Sequence, residues 1–200
     1  MGRTDPNILP FYKKHIKPKG DVALLGFTDN RWFQGDLYDL RLGNWNINHD
    51  WVLPKKYDTI ISLRCPYFSK TPEDFIVRCY NNLNEGGRLF IDWGLGDHWR
   101  FKNYKIGWVK EGEHEFAYHE NNHLWSTVWD DSFIDNLQYK LFEQRVRKLG
   151  YNNVQKAINN EVPFVCNLKN VKKHFNLSYE IIALWDDKPQ LYILLSGVKQ

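Results

Sequence analysis

Two stretches of this 200-residue chain hold residue types and spacings suited to chemistry. Asp97 and His98 stand side by side. A carboxylate and an imidazole facing a cleft can take a proton from a hydroxyl or an amine. Trp93, Trp99 and Arg100 surround them, so flat rings are available to stack on a ligand and polar groups to orient it. The second stretch is Arg64–Cys65–Pro66–Tyr67–Phe68, directly after the run YDTIIS. A thiol at the end of a buried strand is more often inert than nucleophilic. Glu113, His114, Glu115, His119, Glu120 and His123 are metal-capable. The pattern around them is not helical, as a zinc site built on His-x-x-x-His with a catalytic Glu requires, so solvated hairpin residues and no bound metal are expected.

Both stretches need a scaffold, and Tyr57 to Trp99 supplies one. YDTIIS is a short β-branched run, read as a buried strand. Thr71, Pro72, Glu73 and Asp74 form a helix start signal. Phe75, Ile76, Cys79, Tyr80 and Leu83 then recur at helical spacing, and Gly86–Gly87 mark the stop. Arg88 to Ile91 is a second buried strand ending at Asp92. Strand, helix and strand make a parallel βαβ unit. Ligands of open parallel sheets bind beyond the carboxyl ends of the strands. That places residues 64–68 and 92–99 on one functional edge.

YDTIIS, a helix and then NLNEGGRLFID resemble the fourth strand, following helix and fifth strand of class I S-adenosylmethionine-dependent methyltransferases. The likeness spans Tyr57 to Asp92, roughly a fifth of the chain, and Asn84–Leu89 is its most specific part. It implies an α/β, Rossmann-like fold: a mostly parallel central sheet, a C-terminal antiparallel hairpin and an aromatic-rich insertion after the fifth strand. It also implies S-adenosyl-L-methionine as cofactor. The family's first strand ends in a Gly-x-Gly-x-Gly turn. Here the turn is Gly26-x-Thr28-x-Asn30, so Gly26, Phe27, Thr28 and Asn30 are expected against the cofactor. Asp39 is the candidate for the ribose hydroxyls, with Asp36 behind it, and Asn44 and Trp45 are candidates for the adenine. Arg64 and Cys65 complete the cofactor set. Amino-directed members carry Asp/Asn-Pro-Pro-aromatic after the fourth strand. Pro66 and Tyr67 fill its last two places, while Arg64 and Cys65 do not fill the first two. Tyr67 is expected to position the acceptor, Asp97 or His98 to remove its proton, and Trp93, Trp99 and Arg100 to hold it. The chain departs from the family between Gly26 and YDTIIS. About thirty residues cannot hold two complete βα units, so a strand or helix is expected to be shortened or missing.

The rest of the chain reads as one domain, residues 1–200. Residues 1–20 are a basic arm with Lys13, Lys14, Lys17 and Lys19, read as a solvated leader. Strands are expected at Asp21–Phe27 and Leu37–Leu42. Residues 93–131 form the substrate-side insertion, which carries five of the nine Trp and a hairpin joined near Glu111–Gly112. A helix follows at Ser132–Gly150, then the closing hairpin Tyr179–Trp185 and Leu191–Ser196. A net charge of +3 gives no global case for nucleic acid. Residues 136–176 hold eight Lys or Arg against two Glu, read as a solvated face. Three cysteines without a pairing pattern suit a reducing cytoplasm, and no apolar run spans a membrane. The expected function is methyl transfer to an acceptor the sequence does not identify: a small molecule, a sugar nucleotide, a protein or a nucleic acid. Two alternatives stay open. One is a degenerate methyltransferase fold serving as a binding module. The other is an enzyme using another nucleotide, or S-adenosylmethionine in another way.

Overall fold

The computed structural model describes residues 5–97, 106–119, 126–134, 136–148, 150–159, 161–184 and 190–200. Its first element is a helix, α1 (Asp5–His15), where the sequence reads as a solvated arm. Ile8, Leu9, Tyr12 and Ile16 recur at helical spacing and are buried. Burial of each such aliphatic side chain stabilises by about 1.5–3 kcal/mol, enough to dock a helix whose lysines stay in water.

The sheet begins with β1 (Val22–Leu25) and β2 (Asp36–Tyr38), which pair in parallel. Residues 26–35 join them without a helix. The predicted strand at 37–42 breaks after Tyr38, and Leu40–Leu42 form a 3-10 turn. The next element is β3 (Tyr57–Ser62), with no strand or helix in residues 43–56. α2 (Pro72–Asn81) has Pro72, Glu73 and Asp74 in its first turn, while Thr71 at its N-cap makes no side-chain cap. β4 (Leu83–Asp97) runs past Asp92, the expected strand end, for five more residues. β5 (Ile106–Glu111) and β6 (His114–His119) form the expected hairpin, and β6 pairs with the end of β4.

The next part was not legible. β7 (Thr127–Trp129) pairs in parallel with β8 (Val165–Asn167) as a separate two-stranded sheet. Between them lie α3 (Leu137–Lys148), starting later than the predicted 132, and α4 (Val154–Ile158). α5 (Leu168–Val171) follows β8, and β9 (Phe175–Leu184) and β10 (Gln190–Lys199) close the chain.

The main sheet runs β2-β1-β3-β4-β10-β9. β1, β2, β3 and β4 are parallel, and β10 is antiparallel to both β4 and β9. Counted as the resemblance counts them, this order is second, first, fourth, fifth, seventh, sixth. The missing element is therefore the third strand. Alternate residues feed two cores. Ala23, Leu25, Ile60, Leu89, Ile91 and Trp93 point into the larger one, shared with α2, α3, α4 and α5. Leu24, Ile61, Phe90, Tyr192 and Leu194 point into the smaller one, under α1 and Phe27 and Phe33 of the β1–β2 connection.

Candidate functional site

In an open α/β sheet the binding crevice lies where successive connections leave the sheet in opposite directions. Here the chain leaves β1 for β2 on one side and returns to β3 on the other. A cavity of about 830 Å³ opens at that point. It is walled by the carboxyl ends of β1, β2 and β3, by residues 45–48 and by Leu9 of α1. Its size falls in the range of small-molecule sites, about 300–1,000 Å³.

The end of β1 is set by Gly26. Its φ is +82°, in the left-handed region. A Cβ there would lie 2.5 Å from Cys65 Cβ and 2.6 Å from Cys65 Sγ. Gly26 N–H donates to Tyr38 O at 2.7 Å, tying β1 to the tip of β2. At that tip Asp39 caps the 3-10 turn, accepting from Arg41 N–H at Oδ1, 2.8 Å. Its Oδ2 has no hydrogen-bond partner among the described residues and is available to a ligand in the cavity that Asp39 lines. Trp32 and Trp45 also line the cavity, and each has a buried indole N–H with no partner among the described residues.

The β3 side is built from Leu63 to Phe68. Arg64 adopts φ +59°, unusual for a residue other than glycine. Its N–H donates to Asp92 Oδ1 at 2.6 Å, and Tyr12 O–H donates to Asp92 Oδ2 at 2.9 Å. Burial pushes the Asp92 carboxyl above the usual range, against the lowering pull of the Arg64 charge and of these donors. Burial also drives the Cys65 thiol up to about 12, helped by the charges of Asp39 and Asp92. The sulfur is enclosed although the residue as a whole is partly exposed, so Cys65 is a protonated wall rather than a nucleophile. The 3-10 turn Pro66–Phe68 is pinned from behind. Ser126 N–H donates to Tyr67 O at 2.7 Å, and Ser126 Oγ donates to Pro66 O at 3.2 Å.

Of the cofactor candidates, Gly26, Phe27, Thr28, Asp39, Trp45, Arg64 and Cys65 line the cavity, and so does Tyr67. Asn30, Asn44 and Trp93 are not among its lining residues. Asn30 folds its own loop: Oδ1 accepts from Gly35 N–H and its carbonyl from Gln34 Nε2. Asn44 donates to Leu37 O at 2.9 Å and accepts from Asp39 N–H at 3.0 Å. Its amide takes the place of the peptide group that a third strand would have offered to the edge of β2. Trp93 is 0% exposed and donates to Ser126 Oγ at 3.2 Å, so no face is left for a substrate. His98, Trp99, Arg100, Glu120 and His123 lie outside the described residues, and Asp97, His114, Glu115 and His119 are described by their backbone alone. Sequence reasoning missed Leu9, Arg31, Trp32 and Ile47 as lining residues. Leu9 was readable from the 8, 9, 12, 16 spacing of α1. The others sit in loops whose course no local pattern sets.

Fold and site together define a Rossmann-like α/β architecture of the class I methyltransferase type, shortened by one strand. The donor set fits S-adenosylmethionine. A carboxylate oxygen stands at the tip of the second strand, and a glycine-initiated turn at the tip of the first. Trp32 and Trp45 are among the lining residues, and no helix begins in residues 26–35 to receive a pyrophosphate.

No family model matches the sequence, and no curated protein matches it. Solved structures of similar fold include the YcgJ protein from Bacillus subtilis, at 8% identity over 96% of this chain and 97% of that one, TM-score 0.49. The glycopeptide N-methyltransferase MtfA, in complex with S-adenosyl-L-homocysteine, matches at 9% identity over 100% and 91%, TM-score 0.47. An O-methyltransferase family protein from Burkholderia thailandensis matches at 11% identity over 99% and 57%, TM-score 0.45. Likenesses this distant decide nothing about cofactor or reaction, which rest on the site itself. No helix among the described residues is long and apolar enough to cross a membrane.

Proposed function

We propose that the protein is an S-adenosylmethionine-dependent methyltransferase. The observation that carries this reading is the juxtaposition of Gly26 and Asp39 across the switch point, with the second Asp39 oxygen available in the cavity. When bound, S-adenosylmethionine supplies a methyl group on a sulfonium, ready for in-line displacement. Asp39 holds the ribose hydroxyls. Trp45 and Ile47 flank the base, and the backbone of Gly26, Phe27 and Thr28 receives the methionine end. Cys65, protonated at neutral pH, only shapes the wall. Tyr67 lines the cavity where the acceptor approaches. Asp97 and His98 are the proposed base, and Trp99 and Arg100 the proposed acceptor-binding residues; His98, Trp99 and Arg100 lie outside the described residues. The protein's main contribution is alignment of the two reacting centres.

A dinucleotide is the competing ligand, since an acidic residue at this strand end also suits NAD. The lack of a helix start in residues 26–35 argues against it. Calorimetric titration with S-adenosylmethionine, S-adenosylhomocysteine and NAD tests the reading. Micromolar binding of the first two, none of NAD, and about 10- to 100-fold weaker binding by Asp39→Asn are expected. No binding by folded protein at millimolar ligand would favour the binding-module reading instead.

A further inference from the structure

We propose that Phe68 is the residue on which the methyl acceptor is laid, and that the acceptor is a small molecule with an aromatic ring. That Phe68 stands at the acceptor end rests on the methyltransferase reading. That it is built to receive a ring rests on how the turn around it is made.

Five aromatic residues line the cavity among the described residues, and they are not alike. Phe27 and Trp45 are 7% exposed, each packed in one of the two cores. Trp32 and Tyr67 are partly buried. Phe68 is 43% exposed. It also lies away from the cofactor anchor: Asp39 follows β2, Phe68 follows β3, and β1 runs between those strands. At about 4.8 Å per strand, that separation is roughly 10 Å. A ligand held by Asp39 and passing over Gly26 directs its other end toward the turn that carries Phe68.

The family resemblance gives the positioning role to Tyr67, but that ring is already engaged. Arg64, itself ion-paired with Asp92, holds its guanidinium carbon 5.5 Å from the Tyr67 ring centre. The Phe68 ring lies 4.4 Å from the same centre. Tyr67 therefore backs the next ring along. The backbone under Phe68 is held firmly. Phe68 N–H donates to Cys65 O at 2.9 Å, and its carbonyl accepts from Asn48 Nδ2 at 3.0 Å. The residues on either side are tied as well: Tyr67 O accepts from Ser126 N–H at 2.7 Å, and Ser69 N–H donates to Pro66 O at 3.0 Å. An exposed ring on so fixed a backbone loses little freedom when a ligand covers it.

The class of acceptor follows from this ring. An aromatic group laid on Phe68 covers apolar surface that otherwise meets water, and offset or edge-to-face pairing adds to that burial. Leu9, Ile47 and Leu63 line the same cavity and extend the apolar wall. The ring belongs to a small molecule rather than to a base within a strand. Tracking a polynucleotide takes several cations along a groove. In residues 63–71 the cations are Arg64 and Lys70, and Arg64 is committed to Asp92.

The test titrates benzyl alcohol and its saturated counterpart cyclohexylmethanol into protein saturated with S-adenosylhomocysteine, followed by nuclear magnetic resonance. Both carry the same hydroxymethyl group, so ring stacking is what separates them. Benzyl alcohol is expected to bind at least about threefold more tightly. Phe68→Leu should bring that ratio close to one, Phe68→Trp should keep it, and both variants should still bind S-adenosylhomocysteine. Equal or tighter binding of cyclohexylmethanol, or an unchanged ratio in Phe68→Leu, would overturn the proposal. So would a folded Phe68→Leu variant that loses S-adenosylhomocysteine, since Phe68 would then belong to the cofactor. A single-stranded oligonucleotide whose binding depends on Phe68, while that of benzyl alcohol does not, would overturn the small-molecule acceptor. If Phe68→Leu does not fold, the wild-type ratio and a nuclear Overhauser contact between the benzyl and Phe68 rings decide. If S-adenosylhomocysteine fails to bind the wild type, the methyltransferase reading falls, and the same comparison in ligand-free protein still decides whether Phe68 receives a ring.

Discussion

The two flanks of the main sheet are built on different rules. On one side β4, β10 and β9 are 15, 10 and 10 residues long and pair in a nearly unbroken antiparallel register. Helices cover their larger core face. On the other side β1 and β2 have four and three residues, and no helix connects them. Side chains replace the missing secondary structure there. Asn30 closes the β1–β2 loop, Asn44 borders the edge of β2, and Asp39 caps the turn beyond it. Tyr38 and Tyr57 share a hydrogen bond at 2.6 Å, and Tyr57 O–H reaches Asp36 at 2.7 Å. The cavity sits against this second flank. Local stability in proteins is lowest where contacts are few, and binding loops come from that end of the scale. One flank carries the fold, and the other carries the cavity at little cost to the fold.

The sharpest break in that comparison is Trp93→Ala. The indole is fully buried in the larger core and joined to Ser126. Removing it should cost about 3–5 kcal/mol, read as a lower urea midpoint for the whole domain. It should also loosen the Pro66–Phe68 turn, because Ser126 loses the group that orients its hydroxyl. A loss below about 1 kcal/mol would show that the long strands are not the stable flank.

On the binding flank the matching change is Asn44→Ala. Two hydrogen bonds of ordinary strength are lost, about 1–2 kcal/mol in all. The effect should be local. Amide exchange of Asp39 should speed up, and S-adenosylhomocysteine should bind more weakly, while the urea midpoint moves little. A global shift as large as that of Trp93→Ala would mean the two flanks unfold as one unit.

What could be read from the sequence divides along the same line. The βαβ unit from Tyr57 onward was legible because its periodicity and proline-initiated helix agree with one another, although α2 ends at Asn81, and Leu83 and the expected Gly86–Gly87 stop lie in β4. The closing hairpin was legible for the same reason, in position if not in full length. Asp39 and Gly26 could be placed at the cavity because strand ends fall at predictable places. Asn30 and Asn44 fall outside the cavity lining, and a polar residue near a predicted cavity can serve its loop as readily as a ligand. Only the third strand's absence, which gives Asn44 its work, separates the two. Trp93 was misread because β4 continues beyond Asp92, and composition alone does not say whether an aromatic near a strand end is inside. α1 was hidden by its lysines, which lie outside the buried spacing. The β7–β8 pair joins residues almost forty positions apart, and no local signal reports such a pairing.

The smallest expected effect contrasts two carboxylates. Asp130, after β7, accepts from Ser132 N–H and Tyr179 O–H at 3.0 Å each and from Lys172 Nζ at 3.2 Å. Burial opposes its charge, but these donors prevail and hold its carboxyl below the ordinary value. Its stabilisation is therefore present above the unfolded value, about 3.9, and is lost as pH falls through the lower folded value. Asp92, beside the cavity, is raised by burial and has the opposite sign. The native state holds that proton more tightly than the unfolded chain, so stability declines as pH rises from about 4 through the folded value. Urea unfolding between pH 2 and 7 should show Asp130→Asn flattening the acid limb, and Asp92→Asn flattening the decline above it. If both substitutions alter the same limb in the same direction, the buried carboxyl beside Arg64 is ionised like its counterpart. The contrast between a strained binding flank and a satisfied structural one would then not extend to charge.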